Sequence, residues 1–447
     1  MTTTEARELC RCLYIETLKS LQVGPRLRKA MCLRNGVLEV GEDSYPLSRF
    51  QAIRMVSLGK AAIEMAETAA EILAGTRLQL RGIVVAPYSA TKPLPSGRGS
   101  DWQELEYFQA GHPYPDEQSW KAAEAVLAFL EKCSPNELVL FLISGGGSAL
   151  LEKPLDPPVS LQDLRRFHEV LVTCGASIEE INILRKHFSA VKGGRLAVLA
   201  SPATQVTLYV SDVPEHLPSA VASGPTMPDE STVEDCRRIA AQYGLLGKFP
   251  DTIRALLESG QLPETPKPGH PSFARSGYYC LLSSRDGCEK LLELARARGV
   301  WAEAEGSCDE WEFRQAANYL LTRLERLSRQ HRGQPAMLVS GGEVSSPVTG
   351  GGQGGRNQAF VLHCVSKIAG QSVVVLSAGT DGIDGNSPAA GSIADGRSAG
   401  RAAALGLDPG KFLSRGDSYS FFEKLGDAIV TGATGTNVRD LRLLLAY

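Results

Sequence analysis

Ala52-Ile53-Arg54-Met55-Val56-Ser57-Leu58-Gly59-Lys60-Ala61-Ala62 decides the fold. A short apolar run, too brief for a buried helix, meets a glycine and passes into an Ala-rich helical pattern that lasts to about residue 72. That is one βα unit. The pattern recurs outward in both directions. Strands are predicted over 81–86, 137–143, 205–210, 278–283, 336–340, 372–377 and 428–431. Helices are predicted over 1–21, 116–131, 161–174, 178–191, 286–298, 310–329 and 357–369. Ser177 with Glu180 forms a capping-box signature ahead of one of them. Alternation of this kind builds a mostly parallel sheet with helices on both faces, hence an α/β fold. Three strand ends look alike: Ser144-Gly145-Gly146, Ser340-Gly341-Gly342 and Ser377-Ala378-Gly379. Open α/β sheets bind ligands at such carboxyl ends.

The chain has 447 residues, enough for two or three domains. The stretch Pro263-Glu264-Thr265-Pro266-Lys267-Pro268-Gly269-His270-Pro271 has linker composition and suggests a boundary nearby. A net charge of −3 gives no reason to expect nucleic acid or an anionic membrane as a partner. No run approaches a membrane span, and residues 1–21 read as an amphipathic helix rather than a secretory leader. The ten cysteines show no zinc spacing; they are expected to be reduced thiols in a cytoplasmic protein.

Several residues could carry chemistry. The loop Ser144, Gly145, Gly146, Gly147, Ser148 can aim successive backbone N–H groups at one anion; the competing reading is a tight turn with no ligand. Lys60 lies where a helix begins. A cation there opposes the helix dipole at a cost of a few tenths to ~1 kcal/mol, a sign that bound phosphate would reverse. Arg356 repeats the arrangement after Gly350-Gly351-Gly352-Gln353-Gly354-Gly355, where a guanidinium fork suits phosphate or carboxylate. Arg185, Lys186, Lys192 and Arg195 form a basic set, although cations near a helix C-terminus are favourable without a ligand. Asp212, Asp381 and Asp384 follow strands and could hold Mg2+ or accept a proton; Asp-Gly turns explain the last two equally well. No P-loop or protein-kinase signature is present. Gly350, Gly352 and Gly355 satisfy G-x-G-x-x-G, but Pro347 interrupts the segment before them and no acidic residue follows at the distance a dinucleotide site needs.

Taken together the motifs resemble the class II glycerate kinases, whose C-terminal part is called the MOFRL domain. The resemblance rests on Leu58-Gly59-Lys60-Ala61-Ala62, Ile143 through Ala149, Arg185-Lys186 to Lys192-Gly193-Gly194, Ser211-Asp212-Val213, Ala222-Ser223-Gly224-Pro225-Thr226, Ser340-Gly341-Gly342-Glu343, Gly354-Gly355-Arg356-Asn357-Gln358 and Gly379-Thr380-Asp381-Gly382. It implies an N-terminal Rossmann-like domain over 1–260, a smaller α/β domain with a mixed sheet over 275–447, and an active site in the cleft between them. It implies ATP, Mg2+ and D-glycerate, with 2-phosphoglycerate as product. In this family the lysine matching Lys60 and the arginine matching Arg356 are regarded as the key active-site cations. Asp212 is then the candidate base. Ser144 to Ser148, Arg185 and Lys192 are candidates for substrate and phosphate. Gly342, Glu343, Gly355, Asn357 and Thr380 are candidates for the nucleotide, and Asp381 and Asp384 for Mg2+. Sequence alone leaves the roles of Asp212 and Asp381 interchangeable, and a homodimer open.

The chain departs from the family pattern at Glu215-His216-Leu217, Arg285, Ala359 and Gly416, and several of these changes remove acidic groups. Two other functions remain as alternatives: a nicotinamide-dependent hydroxypyruvate reductase, and a non-catalytic carboxylate or nucleotide sensor.

Overall fold

The computed structural model describes residues 1–90, 103–347 and 350–447. Two compact units emerge: Val23–Ser211 with Glu215–Leu281, and Met1–Gln22 with Asp212–Pro214 and Leu282–Tyr447.

The first unit is built on a six-stranded sheet in the order Gln103–Ala110, Gln79–Pro87, Ala52–Leu58, Glu137–Ile143, Thr204–Val210, Ser276–Leu282. The first five strands pair in parallel. Every residue of Glu137–Ile143 is buried, as a continuous apolar run covered on both faces requires. Leu58 pairs with Ile143, so the two central strands end level. Helices Leu161–Thr173, Ile178–Phe188, Val233–Gln242 and Asp251–Glu258 share a core in which Phe167 packs against Phe188 and Phe249, each with ring centroids 5.2 Å apart. The Ser177 capping box is present.

A meander of Met31–Arg34, Val37–Val40 and Asp43–Pro46 was not expected from the sequence. Its first turn, Asn35-Gly36, holds both residues at positive φ, 50° and 76°, as a tight hairpin demands.

The second unit carries a mixed sheet in the order Trp301–Ala304, Ala336–Gly341, Asp440–Ala446, Val373–Gly379, Gly391–Asp395, Ala428–Ile429. Only its first pairing is parallel. Asp440–Ala446, absent from the sequence expectation, runs antiparallel to both of its neighbours and is buried throughout.

The units do not follow the expected division at 1–260 and 275–447. Helix Thr3–Ser20 groups with the C-terminal unit: Tyr14 Oη donates to the Gly379 carbonyl at 2.7 Å, and Arg7 bonds Asp395 at 2.6 Å and Asp427 at 2.5 Å. Ser276–Leu282, expected to open the second domain, completes the edge of the first sheet. The Pro-rich stretch is packed rather than linker-like. Thr265 Oγ1 donates to Asp229 at 2.9 Å, and Asp229 N donates to the Pro266 carbonyl at 3.0 Å. All ten cysteines are free thiols, and among the described residues no helix is long and apolar enough to cross a membrane.

Candidate active site

In the first unit the site grows from the level ends of the two central strands. Ser144 N donates to the Leu58 carbonyl at 2.8 Å, Lys60 N to the Gly145 carbonyl at 2.9 Å, and Ala61 N to Ser144 Oγ at 3.0 Å. This close approach is possible because residue 59 has no side chain. Gly59 sits at φ +121°, and a Cβ there would stand 2.3 Å from Ser144 O. The stitching places the Lys60 stem against the glycine-rich loop. A Cβ on Gly146 would lie 3.3 Å from Lys60 Cγ and 3.1 Å from the His112 ring. His112 was missed by the sequence reading; its place in Gly111-His112-Pro113 gave no spacing signal. Among the described residues the N–H groups of Gly145, Gly146, Gly147 and Ser148 donate to no protein acceptor. The loop thus presents a run of backbone N–H groups, the feature from which an anion site is expected.

Ser148 Oγ lies 2.7 Å from Ser223 Oγ, and Ser223 donates to Asn182 Oδ1 at 3.0 Å. The loop is thereby linked to helix Ile178–Phe188, the helix that carries Arg185. Lys192 is fully buried and paired with Glu152. Glu152, another residue the sequence reading missed, also accepts from Ser189 Oγ at 2.6 Å and faces His168 Nε2 at 3.3 Å. Burial alone would raise the Glu152 carboxyl, but Lys192 and His168 overcome it and hold it down at about 2. Lys192 thus holds the protein together at this point rather than reaching for a ligand.

In the second unit, Arg356 is the first residue of helix Arg356–Lys367. Its Nε and Nη2 bond both oxygens of Asp440 at 2.6 and 3.1 Å, and Nη2 reaches Glu343 at 2.7 Å. Burial by itself would lower the guanidinium pKa; Asp440 and Glu343 more than reverse this, so the charge is fixed. Glu343 is pushed up to about 7 by loss of solvent and by Asp440 and Asp212, against the pull of Arg356. Asp212 therefore belongs with this acidic and basic cluster. The turn bearing Glu343 is clamped from several sides. Asp309 accepts from Glu343 N at 3.0 Å and forms a two-pronged pair with Arg439 at 2.5 and 2.6 Å, while Arg442 donates to the carbonyls of Gly341 and Gly342 at 3.0 and 2.9 Å.

Other candidates here are committed to the protein. Asp384 accepts from the backbone N–H of Asn357 at 3.1 Å and of Gln358 at 2.8 Å, which makes it the cap of the helix that Arg356 begins. Gly355 is required beside it, because a Cβ there would lie 2.2 Å from Asp384 Oδ1. Burial raises the Asp384 carboxyl to about 6 despite those bonds. Asn357 Oδ1 accepts from Ser377 Oγ at 2.5 Å. The Thr380 hydroxyl is taken by the Arg439 carbonyl at 2.7 Å and by Val438 N at 2.8 Å. Asp381 is half-buried, and its Oδ1 accepts from Ile383 N at 3.1 Å. Among the described residues no group of three or more His, Cys, Asp or Glu side chains could hold a metal unaided. Mg2+ in general needs only one or two carboxylates, with substrate phosphates and water filling the rest of its shell. The Gly-rich stretch 350–355 does not turn out of a strand, since the preceding strand ends at Gly341, so it is no dinucleotide-binding βα turn.

Residues 9–258 match the family described as a domain of unknown function, DUF4147, and residues 336–440 match the MOFRL family. D-glycerate 2-kinase of Thermotoga maritima is 37% identical over 90% of this chain and 92% of its own length. A protein of Agrobacterium vitis, whose name proposes a hydroxypyruvate reductase, is 40% identical over 88% of this chain and 86% of its own. The crystal structure of glycerate kinase from Thermotoga maritima superposes with a TM-score of 0.81 at 34% identity, covering 99% of this chain and 100% of that one. The likeness to D-glycerate 2-kinase, on a fold of a parallel and a mixed six-stranded sheet, makes this an α/β enzyme of the phosphotransferase class. Within that class, the chain belongs to the glycerate kinase family that joins the DUF4147 and MOFRL regions.

Proposed function

We propose that this chain transfers the γ-phosphoryl group of ATP to the 2-hydroxyl of D-glycerate in the cytoplasm. The observation that carries the proposal is the near full-length likeness to D-glycerate 2-kinase. The chemistry of the residues agrees with it. In-line phosphoryl transfer asks the protein chiefly for positioning and for charge stabilisation. The N–H groups of the 144–148 loop and the Lys60 side chain offer a phosphate both dipoles and charge. Arg356 enters the reaction already held by Asp440 and Glu343, so its fork need not be ordered when substrate arrives. Asp381 would hold Mg2+ together with the nucleotide phosphates. Asp212, beside Glu343, would accept the proton of the attacking hydroxyl.

The test is ADP release from ATP, Mg2+ and D-glycerate, with enolase then added to the product. Glycerate-dependent ADP and a product that enolase consumes are expected. Release without enolase turnover would move the phosphate to the 3-hydroxyl; no glycerate-dependent ADP would overturn the proposal. A reductase reading draws only on the name of one relative. NADPH oxidation with hydroxypyruvate would be needed to revive it.

A further inference from the structure

We propose that the guanidinium of Arg185 is the carboxylate-binding group of the acceptor site, selecting a small hydroxy acid that carries a single negative charge. The inference rests on the phosphotransferase reading above and names how its acceptor is recognised.

A buried cluster in the first unit carries charges that do not balance. Glu152 is its one carboxylate, facing two cations, Lys192 and Arg185. Burial pushes the imidazole of the remaining member, His168, toward its neutral form. Glu152 is already saturated, since it accepts from Lys192, from Ser189 Oγ at 2.6 Å and from Lys153 N at 3.0 Å, with His168 Nε2 at 3.3 Å. Lys192 is used up by the same carboxylate. Arg185 is what remains: its Nε is buried and has no hydrogen-bond partner, and among the described residues it forms no ion pair. An Nε–H held away from water without an acceptor is unfavourable, and a ligand oxygen placed beside it would complete it.

Place and chemistry indicate which ligand. Arg185 stands one helical turn beyond Asn182, on the same face of helix Ile178–Phe188. Asn182 bonds Ser223, and Ser223 bonds Ser148, the last residue of the glycine-rich loop. A line of short polar side chains therefore runs from the loop suited to phosphate to the turn of helix that carries Arg185. A planar fork of N–H groups matches a carboxylate in two-pronged geometry. The cluster's excess is one positive charge, so a monoanion balances it, whereas a phosphate dianion would leave it negative.

Arg185→Met and Arg185→Lys test the assignment, with the apparent KM values for D-glycerate and ATP and thermal melting with and without D-glycerate as readouts. Arg185→Met is expected to raise the KM for glycerate roughly a hundred-fold while leaving that for ATP within about two-fold. It should lose glycerate-induced stabilisation, and without ligand it should melt no lower than wild type, because a buried N–H without an acceptor has gone. Arg185→Lys should fall between, keeping charge but not the fork. A raised KM for ATP with glycerate unaffected would overturn the proposal. So would a lower melting temperature with both KM values unchanged, which would mark Arg185 as structural. Should wild type release no glycerate-dependent ADP, the activity reading fails separately. The assignment is then decided by melting alone: it stands if glycerate stabilises wild type and not Arg185→Met, and falls if wild type is not stabilised.

Discussion

Two lysines singled out in the sequence, Lys60 at a helix start and Lys192 in a basic set that follows a helix, meet different surroundings. Lys60 lies half-buried beside the 144–148 loop, whereas Lys192 is enclosed and paired with Glu152. Removing the Glu152 charge while Lys192 remains leaves a buried cation uncompensated, which typically costs about 3–5 kcal/mol. Glu152→Gln is therefore expected to lower unfolding free energy in urea by about that amount at pH 7. The pH dependence has a definite sign. The folded carboxyl titrates at about 2, below its usual 4.5, so its contribution is present above the usual value and lost as pH falls from about 4.5 toward about 2. Wild type and Glu152→Gln should converge over that window; a gap that stays constant would show that the ion pair is not its source. The cations were legible in the sequence because each stands beside glycines at a turn. Their anchors were not. Asp440 lies 84 residues from Arg356 and Glu152 lies 40 from Lys192, and neither has a local pattern of its own.

At the scale of an element, the start of helix Arg356–Lys367 settles what Asp384 does. Its carboxylate serves two backbone N–H groups of the first turn, so Asp384→Ala should cost about 1–2 kcal/mol as a lost cap. Because Arg356 begins that turn, kcat should fall while the Mg2+ concentration for half-maximal activity stays the same. A large rise in that concentration would instead return Asp384 to the metal. Element reading from sequence did best where one signal ruled. Strands Ala52–Leu58 and Glu137–Ile143 stand as expected because their apolar runs are bounded by Gly or Ser turns. Asp440–Ala446 was invisible for a matching reason: Arg442 interrupts its apolar run. The structure accommodates that arginine by hydrogen bonds to the Gly341 and Gly342 carbonyls and by the Phe360 ring, 5.8 Å from the guanidinium carbon. Two carbonyls at the end of a strand far off in sequence and a ring from a helix make a charged residue tolerable at the middle of a sheet, and none of them can be read from its neighbours.

At the scale of the whole chain, order in sequence and grouping in space part company. Thr3–Ser20 read correctly as an amphipathic helix, but periodicity says nothing about which core its apolar face covers. It covers the C-terminal unit, through Ala6, Cys10, Leu13 and Tyr14, and it brings Arg7 to the buried carboxylates of Asp395 and Asp427. Without it the sheet would expose those apolar contacts, and the Gly379 carbonyl would lose its Tyr14 partner at the strand end where the candidate site begins. A fragment of residues 282–447 is therefore expected to be unfolded or aggregated, although it contains every strand of its sheet. The same fragment joined through a flexible linker to residues 1–22 should show a cooperative thermal transition by circular dichroism. Arg7→Met in the joined fragment should weaken that transition, since the guanidinium bridging both buried carboxylates would be gone, leaving Asp427 its Arg401 contact and Asp395 the backbone N–H of Arg397. Cooperative folding of 282–447 alone would mean that the helix merely rests on a unit already complete, and the order in which the chain is written would then matter less to its folding than the grouping indicates.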